Sequence, residues 1–319
     1  MNETGPLFVS SGDAIADRRY KWALDHAARG DFAGAADILL QTLELAPGFA
    51  TAWFALGAVR DRLGERDAAI AAFEKARDVD PDDYHGARLQ LARLGAGNAA
   101  PAMTHAYVRR LFDQYAERYD AALTEHLSYR APALLRQAVD AVMHEAGRPM
   151  RFASMLDLGC GTGLAGEAFR SHVDRLVGVD LSPAMIARAA AKGLYDRLVT
   201  AEIGNALTTE ATNAAKYHLA VAADVFVYVN DFGPIAAGVA RALAPDGLFA
   251  FTVETHEGFG VKLLPTLRYA HGEAYLRSAL GAAGLAVAHL AKTPVRSEKG
   301  VPVDSLVVVA ALDRNSTAR

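Results

Sequence analysis

The residues best suited to chemistry sit where an apolar strand pattern gives way to a turn rich in glycine: Asp157-Leu158-Gly159-Cys160-Gly161-Thr162-Gly163. Glycine permits a tight turn and a close approach of ligand to backbone. A helix starting at the same place offers free amide groups. The next strand pattern ends at Asp180, 21 residues after Gly159, where an acid accepts both hydroxyls of a ribose. Gly161-x-Gly163-x-x-Gly166 also fits the dinucleotide fingerprint, a weak pattern by itself. Asp157 two residues before Gly159 is unusual for a dinucleotide strand. Plainer readings stand beside these: Gly166 as a packing glycine, Asp157 as a holder of the loop, and Cys160 as a small residue in a tight turn rather than a reactive thiol.

A second polar and aromatic group follows the fifth strand: Glu254-Thr255-His256-Glu257-Gly258-Phe259-Gly260, then Arg268-Tyr269-Ala270-His271. Residues at the carboxyl edge of a sheet can line a substrate pocket. Arg268 and Tyr269 are the expected substrate contacts, and the guanidinium fork of Arg268 suits a carboxylate or phosphate. The plain alternative has Arg268 capping a helix and His271 beginning one. His289, in mid-strand, reads as packing.

These groups need a scaffold to position them. From 149 onward, apolar strand candidates lie at 153–158, 175–180, 197–203, 217–223, 247–253, 285–290 and 305–311, with helical stretches between most of them. That alternation predicts a mainly parallel α/β sheet covered on both faces, binding ligand at its strand carboxyl ends. Helices are expected over 104–145, after a linker at 95–102.

The first hundred residues follow a different rule. Gly30, Ala35 and Pro47 recur 34 residues later as Gly64, Ala69 and Pro81, the period of the tetratricopeptide repeat. Trp53, Leu56, Gly57, Ala69, Phe73, Ala76 and Pro81 follow its pattern. Arg60 stands where it has Tyr, and the first copy is degenerate at Arg19, Trp22 and Ala23. A capping helix is expected over 83–94. Two repeats bury too little to stand alone, so this segment should pack on the chain, on a second subunit or on a partner.

Taken together, the DLGCGTG loop, Asp180, the following DLSPAMI and Ala222-Ala223-Asp224 resemble the class I S-adenosylmethionine-dependent methyltransferases over roughly residues 104–312. The resemblance implies that Asp157, Gly159, Cys160, Gly161 and Gly163 meet the methionine and ribose parts of S-adenosylmethionine. It implies that Asp180 binds the ribose, that Leu181 and Met185 pack on the adenine, and that Glu202 and Ile203 meet its edge, with Asn205 the alternative. Ala222 and Ala223 would lie beside the methionine amine. The segment Tyr107 to Asp120, with Phe112, Tyr115 and Tyr119, and Ser128-Tyr129-Arg130 after it, resembles a helix that covers the cofactor in small-molecule methyltransferases. Tyr115, Tyr119 and Arg130 are its candidate contacts, although Leu111, Tyr115 and Tyr119 also fit a simple packed face. Repeats followed by FDQYAERYD, VAADVFVYV, ETHEGFG and RYAH resemble a bacterial subfamily of methyltransferases with tetratricopeptide repeats. They are similar also to the vertebrate Williams-Beuren-region methyltransferase-like protein. The implied fold is a Rossmann-like α/β methyltransferase sheet with helices on both faces, preceded by a small all-α repeat domain. The implied division is 1–98 for the repeats, 104–150 for the helical lid and 151–312 for the cofactor-binding domain.

Methyl transfer needs positioning more than a nucleophile, and a base only where the acceptor loses a proton. Asp224, Tyr228, His256 and His271 are the candidates.

Composition sets the outer limits. The chain has 319 residues, enough for two domains, with 52% hydrophobic and 22% charged residues and a formal charge of −4. A mildly acidic chain is poorly suited to a phosphate backbone, so no nucleic-acid partner is expected. One cysteine excludes an internal disulfide. The N-terminus lacks a signal-peptide pattern and no stretch suits a membrane span, so a cytoplasmic protein is expected. No metal is expected. The leading expectation is methylation of a small molecule. The alternatives are methylation of a protein docked on the repeats, with a partner or self-association through them, and a cofactor-binding scaffold without chemistry.

Overall fold

The computed structural model describes residues 7–117, 119, 128–209, 216–298 and 300–312. Arg118 and Asp120 of the lid motif lie outside them. The chain divides into two compact units, Met1–Leu111 with Pro265–Leu267, and Phe112–Leu264 with Arg268–Arg319.

The first unit is built of antiparallel helix pairs: α1 (Ala14–Ala28) with α2 (Phe32–Leu45), α3 (Ala50–Arg62) with α4 (Arg66–Val79), and the short α5 (Ala87–Arg93). Asp13 starts α1 by accepting from the Ile15 and Ala16 amides, which leaves fewer orphan donors at the helix start. α4 stops just short of Pro81, which has no amide to continue it. The small residues of the repeat are there for close crossing: a Cβ on Gly57 would lie 2.7 Å from the Phe73 ring. The expected cap over 83–94 is shorter, because Asp83 takes a left-handed conformation (φ 56°) and its carboxylate accepts the Ala87 and Arg88 amides. Residues before α1 are also engaged. Val9 exchanges hydrogen bonds with the Thr51 hydroxyl, and Phe8 packs on Tyr20 and Phe49.

The second unit is a sheet in the order β3-β2-β1-β4-β5-β11-β8. Its strands are β1 (Phe152–Leu158), β2 (Val173–Asp180), β3 (Arg197–Thr200), β4 (Tyr217–Ala222), β5 (Leu243–Thr255), β8 (Leu285–Lys292) and β11 (Ser305–Leu312). β1 to β5 are parallel neighbours, while β11 runs antiparallel to β5 and β8. Alternate residues of β1 enter opposite layers: Leu156 and Leu158 join a core with Phe226, Phe249 and Phe251. Met155 joins another with Leu135 and Val139 of the helix Ala131–Glu145. Burial on both faces explains the near-continuous apolar runs.

The strand expected over 197–203 ends at Thr200, because Glu202 instead caps the helix Ile203–Thr208. Short strands β6 (Val261–Leu263), β7 (Tyr269–His271), β9 (Ser297–Glu298) and β10 (Val301–Pro302) are additions that the sequence pattern did not indicate. β7 lies parallel to the end of β5, with Ala270 opposite Glu254 and His271 opposite Thr255. No helix among the described residues is long and apolar enough to cross a membrane.

Candidate active site

The strand order turns back between β1 and β4, which leaves a crevice at their carboxyl ends. The loop Gly159–Gly163 opens on it. Gly159, Gly161 and Gly163 all have positive φ (67°, 53° and 97°), so the turn needs residues without a Cβ. The Gly161 amide donates to Asp180 Oδ2 at 2.8 Å, and the Ser182 amide donates to Oδ1 at 2.8 Å. Asp180 thus joins the end of β2 to the loop after β1. It is 8% exposed, and burial raises its carboxyl above the ordinary range against these two hydrogen bonds.

Asp157 is fully buried, and burial pushes its carboxyl up to about 7 although the Tyr195 hydroxyl donates to it. That bond reaches Oδ2 at 2.6 Å, while Oδ1 has no partner among the described residues. Tyr195 itself escaped the sequence reading. Its slot is made by glycines: a Cβ on Gly166 would lie 2.5 Å from its hydroxyl, and one on Gly178 would lie 2.8 Å from its ring. The third glycine of the apparent dinucleotide fingerprint is therefore a packing glycine. Cys160 is also enclosed, and burial pushes its thiol well up, away from the reactive thiolate.

Met185 is fully buried and Leu181 half-buried beyond Asp180. Ser182 caps the helix Pro183–Ala191, accepting from the Met185 amide at 3.1 Å, and donates its hydroxyl to Asp113 at 2.5 Å. Asp113 is a further residue that the sequence reading did not single out. It fixes the segment from Phe112 to Tyr115 to the edge of the crevice. There Phe112 meets Tyr228 at 5.2 Å and Tyr119 at 6.0 Å, and Tyr115 meets Tyr119 at 5.7 Å. Arg130 lies differently: its side chain is exposed and its amide donates to Val295. Glu202 is brought near, since the Ala201 amide donates to the Asp180 carbonyl. Both its carboxylate oxygens, however, accept helix-cap amides, from Gly204 at 2.8 Å and Asn205 at 2.7 Å. Ile203 packs against the core.

Across the crevice, Ala222 is buried, Ala223 half-buried, and Asp224 turns the chain. Asp224, Glu254, Arg268, Arg296 and Glu298 form one buried ion cluster. Arg296 donates to Asp224 and Glu254, and Arg268 donates to Glu298 and approaches Glu254 at 3.4 Å. Burial works against the charge of Arg296, but Asp224 and Glu254 more than offset it and raise its basicity. The guanidinium of Arg268, expected to present an open fork to an anion, is instead turned to protein carboxylates. Arg296 and Glu298 carried no motif, and only tertiary pairing brings them to Glu254, the first residue of the ETHEGFG segment.

The two histidines part company. His256 lies in the loop after β5, with its ring nitrogens against the Glu257 and Gly260 carbonyls. His271 is fully buried in β7, beside Phe232 and Tyr275. Burial pushes it down to about 4, opposed by the nearby Val229 backbone. Among the described residues, neither ring nitrogen makes a hydrogen bond of ordinary geometry. Tyr269, on the same short strand, is fully buried. Among the described residues no group of side chains is arranged to hold a metal ion.

Residues 156–249, which span the loop, Asp180 and Asp224, match the family described as "Methyltransferase domain". Residues 50–83, the helices α3 and α4, match the tetratricopeptide repeat. Methyltransferase-like protein 27 of Homo sapiens is 38% identical over 114 residues, covering 35% of this chain and 44% of that protein. The malonyl-[acyl-carrier protein] O-methyltransferase of Pseudescherichia vulneris is 30% identical over 126 residues, covering 39% and 48%. The chain thus spans somewhat under half the length of these curated relatives. Among solved structures, the magnesium protoporphyrin IX methyltransferase of Synechocystis PCC 6803 with bound SAH is similar with a TM-score of 0.49. It is 17% identical, and the match covers 65% of this chain and 99% of that one.

Proposed function

We propose that the chain is an S-adenosylmethionine-dependent methyltransferase of the class I type, cytoplasmic, acting on a small-molecule acceptor. The observation that carries this reading is Asp180, held by the Gly161 amide at the mouth of the β1–β4 crevice. The Gly161 and Ser182 amides take one carboxylate oxygen each, with the Leu181 amide also engaged, and a carboxylate has about four acceptor sites, so a ribose hydroxyl can be taken there. Met185 and Leu181 offer an apolar wall for the adenine. The unpartnered Asp157 Oδ1 leaves one acceptor beside the glycine loop, where a backbone can approach the methionine part closely. When bound, S-adenosylmethionine supplies an electrophilic methyl group on a sulfonium. The chain has then to orient the acceptor and exclude water, and Phe112, Tyr115 and Tyr119 are placed to screen the crevice.

A second reading, methylation of a protein docked on the repeats, draws on the helix pairs α1 to α4. Incubation with methyl-labelled cofactor and an extract of the source cells, split into small-molecule and protein fractions, tests both. Label in the small-molecule fraction, retained when residues 1–98 are deleted, supports the first reading. Label confined to protein and lost on deletion supports the second. Tight NAD binding without binding of S-adenosylmethionine or SAH overturns both.

A further inference from the structure

Asp224 leaves β4 in the left-handed region, with φ of 60°, which a non-glycine residue keeps only where its surroundings hold it. Two contacts do so. Its amide donates to the Thr252 hydroxyl at 2.9 Å, and Arg296 grips Oδ1. The Arg296 side chain is 1% exposed and that of Asp224 15%. The second oxygen, Oδ2, has no hydrogen bond among the described residues. The phenols of Tyr119, Tyr129 and Tyr228 lie within electrostatic reach of the carboxylate; that of Tyr129 donates to the Ala223 carbonyl at 3.4 Å, and that of Tyr228 is hydrogen-bonded to Arg268. The ion cluster behind it holds three carboxylates and two guanidiniums, and both guanidiniums are engaged by carboxylates.

We propose that Asp224 Oδ2 seats the methyl acceptor, that the acceptor is an amine, and that Arg296 is the positioning residue that aims Asp224 at it. The inference rests on the methyltransferase reading. The cluster sets three carboxylates against two guanidiniums, so a carboxylate or phosphate acceptor would add to an excess of negative charge. An amine N–H donates to Oδ2 and leaves its lone pair free. In the step, the nitrogen lone pair forms the new N–C bond as the methyl–sulfur bond breaks. The electrons of that bond stay on sulfur, which becomes a neutral thioether. The methylated nitrogen then gives its extra proton to Oδ2 and on to water.

The chemical nature of the transferred methyl tests this with the full-length protein. The label from methyl-labelled cofactor and extract is treated with mild alkali and passed over a cation exchanger. Alkali-stable label retained by the exchanger is expected. Label released as methanol, or carried by an anionic product, overturns the amine while leaving methyl transfer standing. No label in any fraction overturns both. Calorimetry with SAH separates acceptor from cofactor roles. Asp224→Asn and Arg296→Lys should bind SAH within about threefold of the parent, yet lose roughly a hundredfold in kcat on the labelled fraction. A tenfold or greater loss of SAH affinity in Asp224→Asn would give the carboxylate to the cofactor's own amine. If Arg296→Lys does not fold, Asp224→Asn alone decides.

Discussion

The Tyr195 hydroxyl donates to Asp157 Oδ2 at 2.6 Å across 38 residues of chain, and the glycines at 163, 166 and 178 leave the space that lets it do so. The glycine loop is thus braced from behind by a tyrosine that has no motif of its own. Tyr195→Phe should cost about 1–3 kcal/mol, because a buried acceptor loses its donor. Gly166→Ala should cost about as much by overpacking against the same ring. Urea denaturation of both variants checks this. Midpoints equal to the parent's would remove Tyr195 as the brace.

Asp180 carries a second expectation. Asp180→Ala should weaken SAH binding by roughly a hundredfold or more, since hydrogen bonds to a charged group are worth about 1.5–3 kcal/mol each. It should also lower stability, because the Gly161 and Ser182 amides lose their acceptor. Calorimetry and denaturation read the two effects separately, and unchanged affinity in a folded variant would refute the ribose role.

Stability should depend on pH through Asp157. Burial pushes its carboxyl up to about 7, against roughly 4 in an unfolded chain. Between those values the folded chain keeps a proton that the unfolded chain has lost. The contribution therefore favours the fold at the acid end and fades as pH rises through 7. Asp83, pushed up to about 6 by burial, tilts the same way. His271, pushed down to about 4 by burial, tilts the opposite way below roughly pH 6.5. The difference between parent and Asp157→Asn isolates the first group. The variant should lose less stability than the parent from about pH 4 to 7, and parallel profiles would contradict the assignment.

The repeats should be sensitive at their closest crossing. Gly57→Ala places a Cβ against the Phe73 ring and should cost about 1–3 kcal/mol. The compact unit also runs past the expected boundary at 98. Tyr107 covers Gly86, and Arg110 donates to the Phe8 carbonyl. A fragment of residues 1–98 should therefore lack the cooperative thermal transition that residues 1–111 show. Equal, cooperative melting of both fragments would count against that account.

What could be read in advance is what depends on near neighbours. The 34-residue shift from Gly30 to Gly64, the seven main strand candidates and the loop from Asp157 to Gly163 are all spelled by local spacing. Helix and strand periods and the demand of a tight turn for glycine act within a few residues. The strand ends were harder. Glu202 falls in an apolar run yet caps a helix, and a carboxylate two or three residues from free amides outcompetes strand extension there. Tyr269 and His271 follow the fifth strand with no strand pattern of their own, and form a buried strand because the end of β5 offers an open edge to pair with.

The sequence alone determined the class of sheet, the repeats ahead of it, and the glycine loop with Asp180 that frames the cofactor reading. Only the tertiary structure decided which charges meet at the carboxyl edge. Arg296 lies 72 residues from Asp224, and nothing in its surroundings along the chain marks it for that role. Because β11 runs antiparallel to both β5 and β8, β8 ends at the same edge as β4 and β5, and the segment carrying Arg296 follows it there. Once the arginine is buried there, the cost of removing its charge from water is offset only by carboxylates held against it. That pairing turns Arg268 and Arg296 toward the protein and, among the described residues, leaves one oxygen of Asp224 without a hydrogen bond.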